Sequence, residues 1–211
     1  MTRMRIITRI LTAAALLAAT SCSSTVRTGD SPMFLVINTL QGTAGGPTPG
    51  QPSSLLFSDV DAVLTAGTDS SGNACTLTAP CRGFVFNDNG QAVLSLARKD
   101  VSSATAPTTN NQVTITRIHI HYRLADGSGV PGSTVPADFD TFATATIPSS
   151  GTATIGFELV RAAAKRQVPL ATLVSGGFLG VTADVTFSGT DQVGNAVSVT
   201  GSIQIEFANW A

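Results

Sequence analysis

The residues best placed to do chemistry are two histidines, three close-set acidic groups and two cysteines. His119 and His121 are the only histidines in the chain. They alternate with Ile118, Ile120 and Tyr122, so on a strand both imidazoles share one face about 7 Å apart. Imidazoles in that arrangement chelate Zn²⁺ or Cu²⁺ when a neighbouring strand supplies a third ligand. The competing reading is a solvated cationic face, Arg117-His119-His121-Arg123, paired with carboxylates across the sheet. Asp59 with Asp61, Asp138 with Asp140, and Asp191 with Asn195 carry oxygen donors in or near loops. Such groups suit Ca²⁺, or they cap their own turns. Neither pattern defines a resident cofactor, and none is expected.

Cys75 and Cys81 enclose five residues, with Pro80 beside the second cysteine. A turn between them brings the sulfurs together, and an exported chain oxidises such a pair. A metal site would need further Cys or His ligands nearby, and the sequence has none there.

Export is written at the N-terminus. Arg3, Arg5 and Arg9 precede an apolar run, Ile10 to Ala19, that is too short for a permanent membrane span. The run ends in Ala18-Ala19-Thr20-Ser21-Cys22. This resembles the lipobox of bacterial lipoproteins, although Ala19 stands where that family most often has Leu. The resemblance implies a signal peptide at 1–21, lipidation of Cys22 and a membrane partner reached through the lipid. Ser23, rather than Asp, implies the outer membrane over the inner. Two or three acyl chains on one cysteine anchor firmly, whereas one anchors only marginally. The alternative is an ordinary secretory signal with Cys22 a bystander.

Cleavage before Cys22 removes three of the 12 basic residues and none of the 13 acidic ones. The remaining chain is acidic, which argues against nucleic acid as a partner. Gly29-Asp30-Ser31 resembles the block carrying the nucleophile of a lipase and esterase family. That family also needs a late Asp-x-x-His, and no histidine follows His121. Without a placed base a serine stays a weak nucleophile, so no catalytic residue is assigned and the chain is read as a non-enzyme.

The elements that must position these groups read as strands. Residues 22–32 form a tether, and 33–211 form one all-β domain. Strand patterns cover Met33 to Leu40, Leu55 to Leu64 with a phase slip near Asp59, and Val113 to Leu124. Val181 to Phe187 and Val197 to Phe207 alternate similarly. Asn89-Gly90, between Phe84-Val85-Phe86 and Ala92 to Leu96, predicts a hairpin turn. Pro148 to Gly151 predicts another, joining Phe142–Ile147 to Ala153–Leu159. Val160 to Gln167 suits one or two helical turns before Pro169. Nine or ten strands and at most one short helix imply two packed antiparallel sheets. An outer-membrane barrel is disfavoured by the single Tyr and single Trp, since barrels carry aromatic girdles. A carbohydrate platform finds little support, because besides phenylalanines only Tyr122 and Trp210 are available and Tyr122 falls on the apolar face of its strand.

The string Val185 to Asn195 resembles the final hairpin of bacterial immunoglobulin-like domains, with Asp-x-x-Gly-Asn as its turn. Together with the Asp126-Gly127, Val130-Pro131 and Val135-Pro136 steps, it is also similar to a set of uncharacterised bacterial envelope proteins. The resemblance implies an immunoglobulin-like β-sandwich and no particular activity. The expected role is a structural or interaction module of the cell envelope with an envelope protein as partner. The alternative is a small-ligand or metal-binding lipoprotein using the His119/His121 face.

Overall fold

The computed structural model describes residues 31–47, 50–102 and 107–210. Cys22, Gly29 and Asp30 lie outside them. The chain folds as an all-β, immunoglobulin-like sandwich. One sheet has the order β1 (Met33–Thr43), β5 (Asp88–Arg98), β9 (Thr152–Val160). The larger sheet runs β2 (Leu55–Asp59), β11 (Ala196–Ala208), β10 (Phe178–Asp191), β6 (Val113–Arg123), β7 (Phe139–Thr141), with β8 (Ala145–Ile147) also on β6. A small two-stranded sheet joins β3 (Ala62–Leu64) to β4 (Cys81–Phe84).

Eleven strands are thus formed among the described residues, and four of them have only three or four residues. The opening of the chain follows the immunoglobulin pattern. β1 pairs antiparallel in the smaller sheet. The chain then crosses over, and β2 pairs parallel with the last strand, β11, in the larger one. That pair departs from the wholly antiparallel expectation.

The strands form where alternating side chains have a face to bury. Ile118, Ile120 and Tyr122 of β6 are buried, as are Val181, Ala183, Val185 and Phe187 of β10 and Ile203, Ile205 and Phe207 of β11. Leu94, Ile155, Phe157 and Leu159 meet them from the smaller sheet. The Tyr122 hydroxyl donates to the Leu159 carbonyl at 2.6 Å, tying the two sheets together. Burial pushes its pKa up. In β6 both Ile115 and Ile118 face inward although three residues apart. The pairing with β10 slips between Ser188 and Gly189, and this bulge restores the alternation.

Both internal hairpin expectations need correction. Asn89-Gly90 makes no turn and lies inside β5, paired with Gly42 and Thr43 on one side and Phe157 and Glu158 on the other. The glycine serves close packing, because the Phe157 ring occupies the space a Cβ would need. Pro148 to Gly151 does make a turn, but it carries the chain between layers. Before it β8 joins β6, and after it β9 joins β5. Ile147 and Ile155 therefore meet the core from opposite sheets. The phase slip near Asp59 marks the point where edge strand β2 leaves the larger sheet for β3.

A single α-helical turn, α1 (Ala162–Lys165), follows β9, and a 3₁₀ segment spans Leu170–Ser175. The end of the expected tether is already docked. Ser31 is buried, and the Pro32 carbonyl accepts from the Lys99 amide at 2.9 Å.

Candidate functional site

The outer face of the larger sheet carries the charged groups of β6. Cross-strand register explains what each one meets. His119 stands opposite Asp140 of β7, and His121 stands opposite Asp184 of β10. Arg117 grips both Asp140 oxygens at 2.9 Å, and His119 Nδ1 lies 2.9 Å from Oδ1 of the same carboxylate. His121 Nδ1 lies 2.8 Å from Asp138 Oδ2. An ionised carboxylate only accepts, so both imidazoles donate through Nδ1 and leave Nε2 for another contact. Arg123 holds Asp184 at 2.7 and 3.2 Å, and Ser202 donates to the same carboxylate at 2.6 Å. Arg161 extends the ladder. It donates to the Asp140 carbonyl at 2.8 Å, and its guanidinium lies 3.9 Å from the centre of the Phe139 ring.

The electrostatics follow from these contacts. Hydrogen bonds from Arg117 and His119 hold the Asp140 carboxyl below its usual range. Partial burial opposes the same shift at Asp184, but the bonds from Arg123 and Ser202 outweigh it. Asp140 in turn raises Arg117. All these side chains are partly solvated, so water screens each pair and its net contribution to stability is small.

Structure therefore joins two groups of residues that the sequence left apart, His119/His121 and Asp138/Asp140. It joins them by hydrogen bonds, beside the Arg117–Asp140 and Arg123–Asp184 ion pairs, in agreement with the reading of this face as paired with carboxylates across the sheet. Among the described residues no three His, Cys, Asp or Glu side chains are grouped to hold a metal ion.

The remaining acidic candidates act within turns. Asp191 Oδ1 accepts the Val193 and Asn195 amides, and Oδ2 accepts from the Asn195 side chain. Asp59 accepts the Asp61 amide, and Asp61 accepts the Gly83 amide at 2.7 Å. Ser31 is buried and its hydroxyl accepts the Met33 amide. Cys75 and Cys81 form a disulfide with their Cα atoms 5.3 Å apart. It closes the lobe that carries β4.

Two features were not anticipated from sequence. The first is a sealed polar cluster. Lys165 Nζ reaches Asp88 Oδ1 at 2.9 Å, Ser58 donates to Oδ2 at 2.6 Å, and the Gly45 amide donates to Oδ1 at 2.8 Å. Lys165 is 1% exposed and Asp88 is fully buried. Burial raises the Asp88 pKa against the pull of Lys165 and the hydrogen bonds from Ser58 and Gly45. The second is aromatic. Phe57, Phe178 and Trp210 are exposed at one end of the larger sheet, and the Phe57 and Trp210 rings meet edge-to-face at 5.5 Å. Phe57 lies mid-strand in β2 and Phe178 begins β10, and register alone decides that they face outward.

The fold and this face define the class, an all-β sandwich with a charged sheet face left open by the described residues. Comparison with protein-family models, curated proteins and solved structures finds no match to this chain.

Proposed function

We propose that the chain is a non-enzymatic cell-envelope lipoprotein, anchored in the outer membrane through Cys22, that serves as an interaction module for an envelope protein. The observation that carries this reading is the charge ladder of β6, β7 and β10, where cross-strand hydrogen bonds hold Arg117, His119, His121 and Arg123 in place on the sheet. The Cys75–Cys81 disulfide supports an oxidising compartment. Two experiments test the proposal. Cys22→Ala should move the protein out of the detergent phase and abolish lipid labelling. A photo-crosslinking residue at Thr186, between His119 and Thr200 on the same face, should capture an envelope protein in intact cells. Unchanged membrane partitioning of the cysteine variant would remove the anchor from the proposal.

One observation favours the small-ligand or metal reading as a second. Each imidazole is oriented by a carboxylate at Nδ1 with Nε2 left over, the arrangement that metal-ligating histidines use. A calorimetric Zn²⁺ signal lost in His121→Ala would replace the scaffold reading with this one.

A further inference from the structure

The described chain begins at one end of the sandwich, and the groups gathered there differ from those at the other end. Ser31 is buried beside the turn between β10 and β11, and its hydroxyl bonds the Asp191 carboxylate of that turn. Strand register brings three connections to the same end. Arg98 closes β5 opposite Met33, Val113 opens β6 opposite Asp191, and Ile147 closes β8 opposite Val113. The loop after β5, the turn after β8 and the turn after β10 therefore lie at the end where Ser31 enters. The described residues of these connections carry three charged side chains, Lys99, Asp100 and Asp191. Asp191 is buried and bonded within its own turn. Three apolar side chains stand exposed here, Phe34, Val101 and Val193, at 54%, 87% and 61%. The Lys99 ammonium lies 5.3 Å from the centre of the Phe34 ring. Ser31, Phe34, Lys99 and Ala196 line one shallow depression of about 240 Å³.

We propose that this end of the sandwich seats in the headgroup layer of an anionic phospholipid bilayer, with Phe34, Val101 and Val193 meeting the upper acyl carbons and Lys99 the phosphates. The inference rests on the reading of Cys22 as the lipid anchor and gives that anchor a docking surface and a direction. Chain length decides the occupant. Residues 22–30 reach about 30 Å at full extension, and they end at Ser31. Strand β11 has 13 residues and spans about 40 Å from this end to the aromatic one. An inverted molecule would hold Ser31 farther from the bilayer than those residues reach, so the aromatic end with Trp210 is not the seated one. Charge agrees. Seating strips water from whatever enters, and charged side chains lose most by it. The connections at the aromatic end carry Asp61, Asp69, Arg82, Asp126 and Arg166 among others. Phenylalanine and valine gain from the apolar side of the interface, and a lysine lays its stem along them while its ammonium stays with phosphate. Seated this way, the strands rise from the membrane and the charge ladder faces sideways, open to a partner.

Trp210 is the only tryptophan in the chain and marks the far end. The full-length lipidated protein is reconstituted into vesicles of phosphatidylethanolamine and phosphatidylglycerol whose acyl chains are brominated close to the headgroup, so that bromine quenches only tryptophans that enter the bilayer. Wild-type emission should match that in unbrominated vesicles. In a Trp210→Phe background, Val193→Trp and Val101→Trp should each lose about half of their emission. Thr186→Trp, on the ladder face, should lose none. Lys99→Glu should lessen the quenching at Val193→Trp about twofold, since one lysine has that order of effect at an anionic surface. All these positions are exposed or half-buried, and unchanged thermal unfolding checks that each variant is folded. Lipidated protein with no quenching at positions 101 and 193 overturns the proposal and leaves the anchor standing. Quenching of Trp210, or of Thr186→Trp as strongly as Val193→Trp, overturns it in favour of a different seated surface. A chain that carries no lipid label overturns the anchor and this inference together, so the two failures are told apart by the label.

Discussion

Lys165 with Asp88 and Arg117 with Asp140 are both cation–carboxylate pairs held at 2.9 Å, yet they live under opposite conditions. The first is sealed between β5, β2 and α1, with both side chains at or below 1% exposure. The second stands on an open sheet face, about half solvated. Equal distances hide unequal stakes. In water the two charges of an exposed pair are already well solvated, so their meeting contributes little. In the core neither charge has water to return to, and the pair, Ser58 and the Gly45 amide must satisfy one another completely. The comparison teaches that burial, more than contact geometry, sets what a pair is worth.

Breaking the sealed pair should give the largest effect. Lys165→Met leaves the Asp88 carboxylate buried with only Ser58 and Gly45 as donors, and should cost about 3–5 kcal/mol in denaturant unfolding. The double variant Lys165→Met/Asp88→Leu should recover part of that loss. A single-variant cost under about 1 kcal/mol, the exposed-pair range, would erase the distinction between the two regions.

Strand β6 holds the same contrast within one element. Ile120 is fully buried between residues that face solvent. Ile120→Ala should cost about 2–5 kcal/mol. His121→Ala, one residue on, should change stability by about 0.5 kcal/mol or less, the smallest effect expected. Equal costs at the two positions would mean that the register of this strand is wrong.

Between those extremes stands the disulfide. Its loop is short, so replacing both Cys75 and Cys81 with Ala should cost roughly 2 kcal/mol by loop-closure entropy. Thermal unfolding of reduced and oxidised protein measures it.

Acid should act on the open ladder and on the Asp191 turn. Asp140, Asp184 and Asp191 all have carboxyls held below the ordinary value of 3.8. A depressed folded pKa contributes stability above the unfolded value, and that contribution is lost as pH falls through 3.8 and below. Asp88 runs the other way, because its raised pKa makes the folded state the better proton binder. Unfolding free energy measured from pH 5 down to pH 2 should fall with a slope that Asp184→Asn reduces. An unchanged slope in that variant would show that the ladder carries none of the acid sensitivity.

Strand content and the facing of strands were legible in the sequence, because both are local. Period-two alternation marks Ile118, Ile120 and Tyr122 as core and His119 and His121 as surface, whatever the partner strand. The Asp191 to Asn195 turn was legible for the same reason, since Asp191 bonds its own neighbours. The cysteine pair followed from short spacing and the implied compartment.

What failed was most of what depends on which strand lies beside which; the β10–β11 hairpin, closed by its own local turn, is the exception. Asn89-Gly90 is locally a turn signal, but Phe157, far along the chain, needs the space a side chain there would take. Pro148 to Gly151 joins two alternating segments, and nothing local says that they belong to different sheets. Nothing local links Asp88 to Lys165, 77 residues away, until the crossover lays one against the other. The aromatic end of the sheet likewise assembles from β2, β10 and the tail of β11. The sequence by itself determined which face of the long strands is apolar, because that is a property of consecutive residues; in short β2, where Leu55, Leu56 and Phe57 are all apolar, packing turned Leu56 inward and Phe57 outward. Only the tertiary structure decided the pairing of strands distant in the chain, the buried Lys165–Asp88 pair and the aromatic patch, because those depend on packing between separate segments.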